Sequence, residues 1–211
     1  MFAELTSRHE NGVELDVLVW RLRHAMLAAS TATSGGGLGP RHWVINAEVD
    51  NDYHRVDVNE HIAELVAALK LPGAGVGMLT AAPVRRRQRS SDEGVDVEVT
   101  VGLSHPTWAA TSESGAITQA RPGTINIVAF VPVRLEEGAL LNAVATATES
   151  KSQALWEASI AATGTPSDAV TVLCLLEGDD ERFGGPRSVW GARLARAVHR
   201  AVLTGARTRS S

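Results

Sequence analysis

Hydrophobic and polar positions alternate with a period of two over several short stretches of this chain and with a helical period over three longer ones. Residues 12–22, GVELDVLVWRL, alternate as a half-buried strand does, and after Arg23-His24 the apolar run 25–33 offers a second strand to pair with it. A glycine loop, SGGGLGP, leads into a third strand over 42–49. Its parity sets Trp43, Ile45, Ala47 and Val49 on one face and His42, Val44, Asn46 and Glu48 on the other. Between 57 and 71 the period lengthens. Ile62, Leu65, Val66 and Leu69 form one stripe, Asp57 and Glu60 have capping-box spacing, and Pro72-Gly73 ends the helix.

Residues 75–84 and 94–103 read as strands bracketing Arg85, Arg86, Arg87 and Arg89, which the pattern places at a solvated hairpin tip. In the second of them Val95, Val97, Val99 and Val101 alternate with Asp96, Glu98 and Thr100, the mark of one wet face. Residues 105–123 read as a long loop. The nearly unbroken apolar run at 124–133 suits a central strand covered on both faces, and a long helix follows over 136–160. A turn at 162–168 delivers the buried strand 169–177, and a last helix begins near Ser188 and carries Leu194, Val198 and Val202. The pattern as a whole predicts an α/β fold, one domain over 13–205 with mixed β-sheet layers and about three helices packed on them. The polar ends, 1–12 and 206–211, are expected to be flexible.

Composition narrows the function classes. With 211 residues the chain can bury a core of its own, and its formal net charge of -4 argues against bulk attraction to nucleic acid. No run approaches the roughly 18–20 apolar residues of a membrane helix, and the acidic N-terminus lacks a signal-peptide core, so a soluble cytoplasmic protein is expected. The one cysteine, Cys174, sits in VTVLCLL, where it packs as a small hydrophobe. No histidine pair has metal-site spacing on a helix, since His54 and His61 straddle a helix boundary, and no resident metal or cofactor is expected.

The glycine loop is not a phosphate cradle. A P-loop needs a lysine and a hydroxyl opening a helix, and a dinucleotide fingerprint also opens a helix, whereas these glycines lead to Pro40, Arg41, His42 and a strand. His42, Asn46 and Glu48 share the surface that follows, either a solvent face or a site. Sharper is Lys151. At about 100° per residue it falls at the centre of a stripe made by Leu140, Val144, Ala147, Ala154, Leu155 and Ala158, so it must snorkel, pair with a carboxylate, or reach a cleft. Thr148 lies on its flank; Glu149 falls about 160° away. The turn Thr163–Asp168 offers hydroxyls and a carboxylate, either as an ordinary turn or as a ligand corner, and Asn126 interrupts an apolar strand where a buried amide must find partners.

Several of these stretches together resemble one family. SGGGLGPRHWVINAEV, GVGMLTA, VEVTVGL, GTINIVAFVPV, NAVATATESKSQAL, ATGTPSDAV and FGGPRSVWGARLARAVHRAV are similar, in order, to the motifs of the adenosylcobinamide amidohydrolases, the CbiZ family, across residues 25–205. Ser150 in TESK and Ser167 in TPSDA depart mildly from that pattern, and STATS matches loosely. The resemblance implies hydrolysis of the amide joining aminopropanol to the corrin ring, giving adenosylcobyric acid in corrinoid salvage, with cobalt arriving inside the substrate. The partner is then a small-molecule corrinoid, with neither nucleic acid nor membrane involved; a non-catalytic corrinoid carrier and an amidohydrolase of another bulky substrate are the alternatives. No nucleophile elbow of the GxSxG kind assigns the roles. The expected catalytic groups are Lys151 for electrostatic or proton-transfer work and Asp168 or Glu149 as base, with Thr148 or Ser34 as competing nucleophiles. The expected substrate-binding set is Gly35, Gly36, Gly37, His42, Asn46, Thr124, Asn126, Thr148 and Thr165.

Overall fold

Thirteen elements follow one another in the computed structural model, which describes residues 1–110 and 123–208. They are β1 (Glu4–Glu10), β2 (Val13–Ser30), β3 (Gly37–Glu48), α1 (Val58–Ala68), β4 (Gly75–Thr80), β5 (Gln88–Asp92), β6 (Val95–Val101), β7 (Ile125–Val131), β8 (Arg134–Leu135), α2 (Glu137–Glu157), β9 (Ala169–Cys174), β10 (Asp180–Glu181) and α3 (Val189–Arg207). Eight strands make one mixed sheet in the order β4-β3-β2-β9-β7-β6-β5, with β1 added to β2; β8 and β10 form a separate parallel pair.

The expected hairpin over 12–33 is instead the single 18-residue strand β2. Its pairing with β3 slips between Arg21 and Met26, so the polar break at Arg23-His24 is a bulge inside one strand rather than a turn between two. Parity survives the bulge. Leu18, Trp20, Met26 and Ala28 all face one cluster, which also takes Val44 and Met78 from one half of the sheet and Val128 and Leu173 from the other. The sheet thus folds over itself along β2. Its outer side is covered at one end by α1, through Ile62 and Leu65 on Val17, Val19 and Ile45, and at the other by α2 and α3, through Leu140, Leu155, Leu194 and Val198 on Val97, Ile127 and Val172. Cys174 is buried in that second cluster, which raises its thiol pKa.

Regular elements reach into both of the end stretches. Residues 4–10 pair with β2 at every position from Glu4 to Glu10, the N-terminal ammonium meets Asp96, and the Ala3 N–H donates to Glu98 at 2.8 Å. Backbone pairing to an open edge needs no apolar pattern, so the polar ELTSRHE carried no signal of it. At the other end α3 runs through Gly205 and Ala206, both buried, to Arg207; residues 209–211 lie outside the described set. Most of the expected loop 105–123 lies outside it too.

Three local expectations are corrected. Asp57 does precede α1, but its carboxylate is held by Arg55 and caps nothing, and that pairing pulls its pKa down to about 2. The arginines are not a hairpin tip, because β4 and β5 lie at opposite edges of the sheet and residues 81–87 cross between them. Arg85 pairs with Asp16, and Arg87 and Arg89 with Glu98. Nor is the polar face of β6 wet. It lines the inside of the fold, where Glu98 and Thr100 are each 2% exposed and are satisfied by Arg87, by Arg89 of β5 and by Asn46.

Candidate active site

Strands β7 and β9 run parallel, with Asn126 opposite Ala169, and their starts approach the end of β4. A cavity of about 200 Å³ opens there, walled by Thr33, Tyr53, Thr124, Asn126 and Ser167. It shares Ala81 with a wider cavity of about 820 Å³ bordered by Arg85, Arg86 and Gly102. The narrow part has the dimensions of a substituent, the wide part those of a drug-sized body.

Asn126 is the polar centre of the narrow cavity. Its Nδ2 donates to Asn46 Oδ1 at 2.9 Å and to the Leu79 carbonyl at 3.1 Å, and Asn46 Nδ2 donates to Thr100 Oγ1 at 2.9 Å. A carbonyl can only accept, so the Leu79 contact fixes which end of the Asn126 amide is nitrogen. Its Oδ1 is then left buried without a partner among the described residues. Beside it the Thr124 and Ser167 hydroxyls lie 2.8 Å apart, one donating to the other.

One residue away, on the opposite face of the sheet, Asp168 shows the reverse. Lys151, reaching out of the apolar stripe of α2, pairs with its Oδ2, which also accepts the Thr165 N–H at 3.0 Å. Oδ1 accepts the Ile125 N–H at 2.8 Å and lies within reach of Thr165 Oγ1, whose one proton is shared between it and the Gly123 carbonyl. A Cβ on Gly164 would collide with both Asp168 and Lys151, so glycine seals this corner. Lys151, Asp168 and Thr165 therefore meet at one corner, and Lys151 and Asp168 line neither cavity.

The other expected residues divide sharply. Thr124 and Asn126 line the narrow cavity, and Asn46 lies buried behind Asn126, accepting its N–H. Glu149 is exposed on the side of α2 away from buried Lys151, as its angle on the helix requires, and Thr148 is exposed with its hydroxyl on the Val144 carbonyl. His42 is exposed beside Gly73. The glycine bend spends its freedom on close contacts with the chain's own backbone. Gly35, at φ +67, is pressed against the Gly75 carbonyl and Gly36 against that of Ala32, positions no side chain could enter, while Arg41 ties the carbonyls of both. Gly37, at φ +85, is open to solvent.

The pattern reading missed Tyr53, Thr33 and Ser167 as wall residues. Tyr53 is the chain's one tyrosine, and burial raises its phenol pKa. The available signal was His61, which interrupts the buried face of α1 next to Ile62 and is itself 1% exposed. Among the described residues no cluster of three or more His, Cys, Asp or Glu side chains could hold a metal ion, and no helix is long and apolar enough to cross a membrane.

Known proteins match this chain along most of its length. The family model for adenosylcobinamide amidohydrolase, CbiZ, matches residues 2–211. The adenosylcobinamide amidohydrolase of Methanosarcina mazei is 29% identical over 187 residues, covering 84% of this chain and 88% of that protein. That of Halobacterium salinarum is 31% identical over 160 residues, covering 73% and 69%. A solved crystal structure from Pyrococcus horikoshii OT3 aligns over 97% of this chain and 82% of its own, at 11% identity and a TM-score of 0.47. Matched from its second residue to its last, the chain belongs to the adenosylcobinamide amidohydrolase (CbiZ) family.

Proposed function

We propose that this protein hydrolyses the amide joining aminopropanol to the corrin ring of adenosylcobinamide, releasing adenosylcobyric acid and aminopropanol in corrinoid salvage. The observation that carries the reading at the level of the site is the spare acceptor of Asn126 in the wall of the narrow cavity. A buried carbonyl oxygen without a donor is costly, and the secondary amide of the substrate arm brings one N–H to it. The arm enters the narrow cavity while the macrocycle lies against the wider one, which adjoins it at Ala81.

Of the Thr124 and Ser167 hydroxyls one donates to the other, so the pair offers one proton to the amide oxygen as it becomes an oxyanion, with the Gly123 carbonyl, 3.3 Å from Ser167 Oγ, as the competing acceptor. Lys151 and Asp168 act one step back as positioning residues, because their pair holds the first N–H of β7 and the turn before β9 and so fixes where Thr124 and Ser167 stand. Cobalt enters and leaves inside the corrin as part of the substrate. Three of the four arginines over 85–89 are committed to carboxylates, which favours a small-molecule partner over nucleic acid. The reading places the protein in the cytoplasm.

The test is a product assay in water enriched in oxygen-18. Adenosylcobinamide should yield equal amounts of adenosylcobyric acid and aminopropanol, with one labelled oxygen in the new carboxyl group by mass spectrometry. Binding with the substrate recovered intact would make the protein a carrier and end this reading.

A further inference from the structure

Hydrolysis at the narrow cavity needs a group that takes a proton from water and returns it to the departing amine. The hydroxyls of Thr124 and Ser167 hydrogen-bond each other and have no base behind them among the contacts described above. Across the same cavity Tyr53 does. Its hydroxyl lies 2.9 Å from His61 Nδ1, the two rings stack with centroids 5.5 Å apart, and His61 Nε2 lies 3.3 Å from Glu10 Oε2. Glu10 is held in turn by Arg8, which donates from Nε at 3.1 Å and from Nη2 at 2.8 Å.

The three residues come from three separate elements: Glu10 ends β1, Tyr53 lies in the connection after β3, and His61 is in the first turn of α1. Their chemistry dictates an order. The Glu10 carboxylate can only accept, so it keeps the proton of the neutral imidazole on Nε2 and leaves Nδ1 bare. Nδ1 then accepts the phenol proton, which leaves the phenol oxygen its lone pairs for a further donor, and Tyr53 stands in the wall between the narrow cavity and a second one beside Glu10 and Arg55.

We infer that Tyr53, His61 and Glu10 form the proton relay of the amide hydrolysis. The inference rests on reading the narrow cavity as the hydrolysis site. A water held there gives its proton to the Tyr53 oxygen as Tyr53 passes its own to His61 Nδ1, and the water oxygen forms a bond to the amide carbon. Collapse of the tetrahedral intermediate breaks the carbon–nitrogen bond, the electron pair leaves with nitrogen, and the proton returns from His61 through Tyr53 to the amine. The imidazolium present between those two steps faces Glu10, and acid, amine and an unchanged relay remain. Tyr53 is the catalytic residue; His61 and Glu10 act through it.

The experiment compares the full-length wild type with Tyr53→Phe, His61→Gln and Glu10→Gln by steady-state release of aminopropanol from adenosylcobinamide, with folding followed by circular dichroism. Tyr53→Phe keeps the ring stack and loses one oxygen. It should lower kcat by about 100-fold or more with KM within about threefold, the range expected when a positioned acid-base group is lost. His61→Gln should match it, and Glu10→Gln should cost about tenfold in kcat alone. A Tyr53→Phe enzyme with kcat within threefold of wild type overturns the relay and leaves the hydrolase reading standing, and so does a rise in KM alone. A wild type that releases no aminopropanol overturns both. Should Tyr53→Phe fail to fold, Glu10→Gln decides, since an unchanged kcat there removes the relay.

Discussion

Asp168 and Asn126 stand within one residue of each other in the register of two parallel strands, on opposite faces of the sheet, and their hydrogen-bonding could hardly differ more. Three N–H donors are committed to Asp168, a hydroxyl lies within reach of a fourth bond, and Gly164 closes over it. Asn126 uses both its N–H groups and leaves its oxygen without a partner among the described residues. Folding by itself favours the first arrangement, because an unmet buried acceptor costs about 1–3 kcal/mol. The second is retained only where something outside the fold completes it. Saturation marks a strut and leftover capacity marks a site, although the strut carries the more eye-catching charges.

The largest effect should come from the strut. Asp168→Ala leaves the Lys151 ammonium buried without its partner, and losing one member of a buried pair costs about 3–5 kcal/mol. Urea denaturation at neutral pH measures it. Because the damage is an uncompensated charge, adding Lys151→Met to Asp168→Asn should recover most of the loss. The comparison breaks if Asp168→Ala is as stable as wild type and inactive, for the pair would then be doing chemistry.

Asn126→Ala should show the reverse balance. It strands Asn46 Oδ1 and the Leu79 carbonyl, at about 1–2 kcal/mol of stability. It also removes the acceptor proposed for the substrate N–H, so kcat/KM should fall about 100-fold, or about 2.7 kcal/mol of transition-state stabilisation. Denaturation and aminopropanol release on the same preparation give both numbers. A variant that loses stability and keeps kcat/KM would show that the spare oxygen meets only water.

Part of this contrast was legible in the chain itself. The parity of residues 42–49 set Asn46 on the face opposite Trp43 and Ile45, the helical angle separated Glu149 from Lys151, and a lysine amid leucines and alanines had to snorkel, pair with a carboxylate or reach a cleft, of which Asp168 supplies the second. Other features depend on contacts between distant segments. Glu98 and Thr100 alternate with valines as a wet strand face would, yet the β5–β6 pairing sets Arg89 directly opposite Glu98 with Arg87 beside it, and the folding of the sheet over itself brings Asn46 onto Thr100. The bulge at Arg21–Met26 shows the same run of polar residues as a turn. The Tyr53, His61 and Glu10 chain is less visible still, since Glu10 lies in a segment with no apolar pattern and His61 follows it by 51 positions.

Asp92 supplies the smallest effect and the sharpest check on what burial adds to saturation. Like Asp168 it has its donors: Arg196 grips it from Nε at 3.0 Å and Nη2 at 2.6 Å, and Arg200 adds a bond at 2.9 Å, tying β5 to α3. Unlike Lys151, those partners stand half in water, with side chains 52% and 47% exposed. The guanidinium of Arg196, and then that of Arg200, holds the Asp92 pKa below its ordinary value. A lowered folded-state pKa means that the unfolded chain binds more protons near that range, so the stabilisation is complete above the ordinary carboxylate value and is lost as pH falls through the depressed one. Solvent screening limits it to about 1 kcal/mol. Asp92→Asn should therefore be about 1 kcal/mol less stable than wild type at neutral pH and less so in high salt, and the gap should close as the medium is acidified past the depressed pKa. Denaturation curves at several pH values measure it. A gap as large as that of Asp168→Ala, or one that widens in acid, would mean that the count of donors alone sets the energy and that the dryness of the Lys151 corner adds nothing.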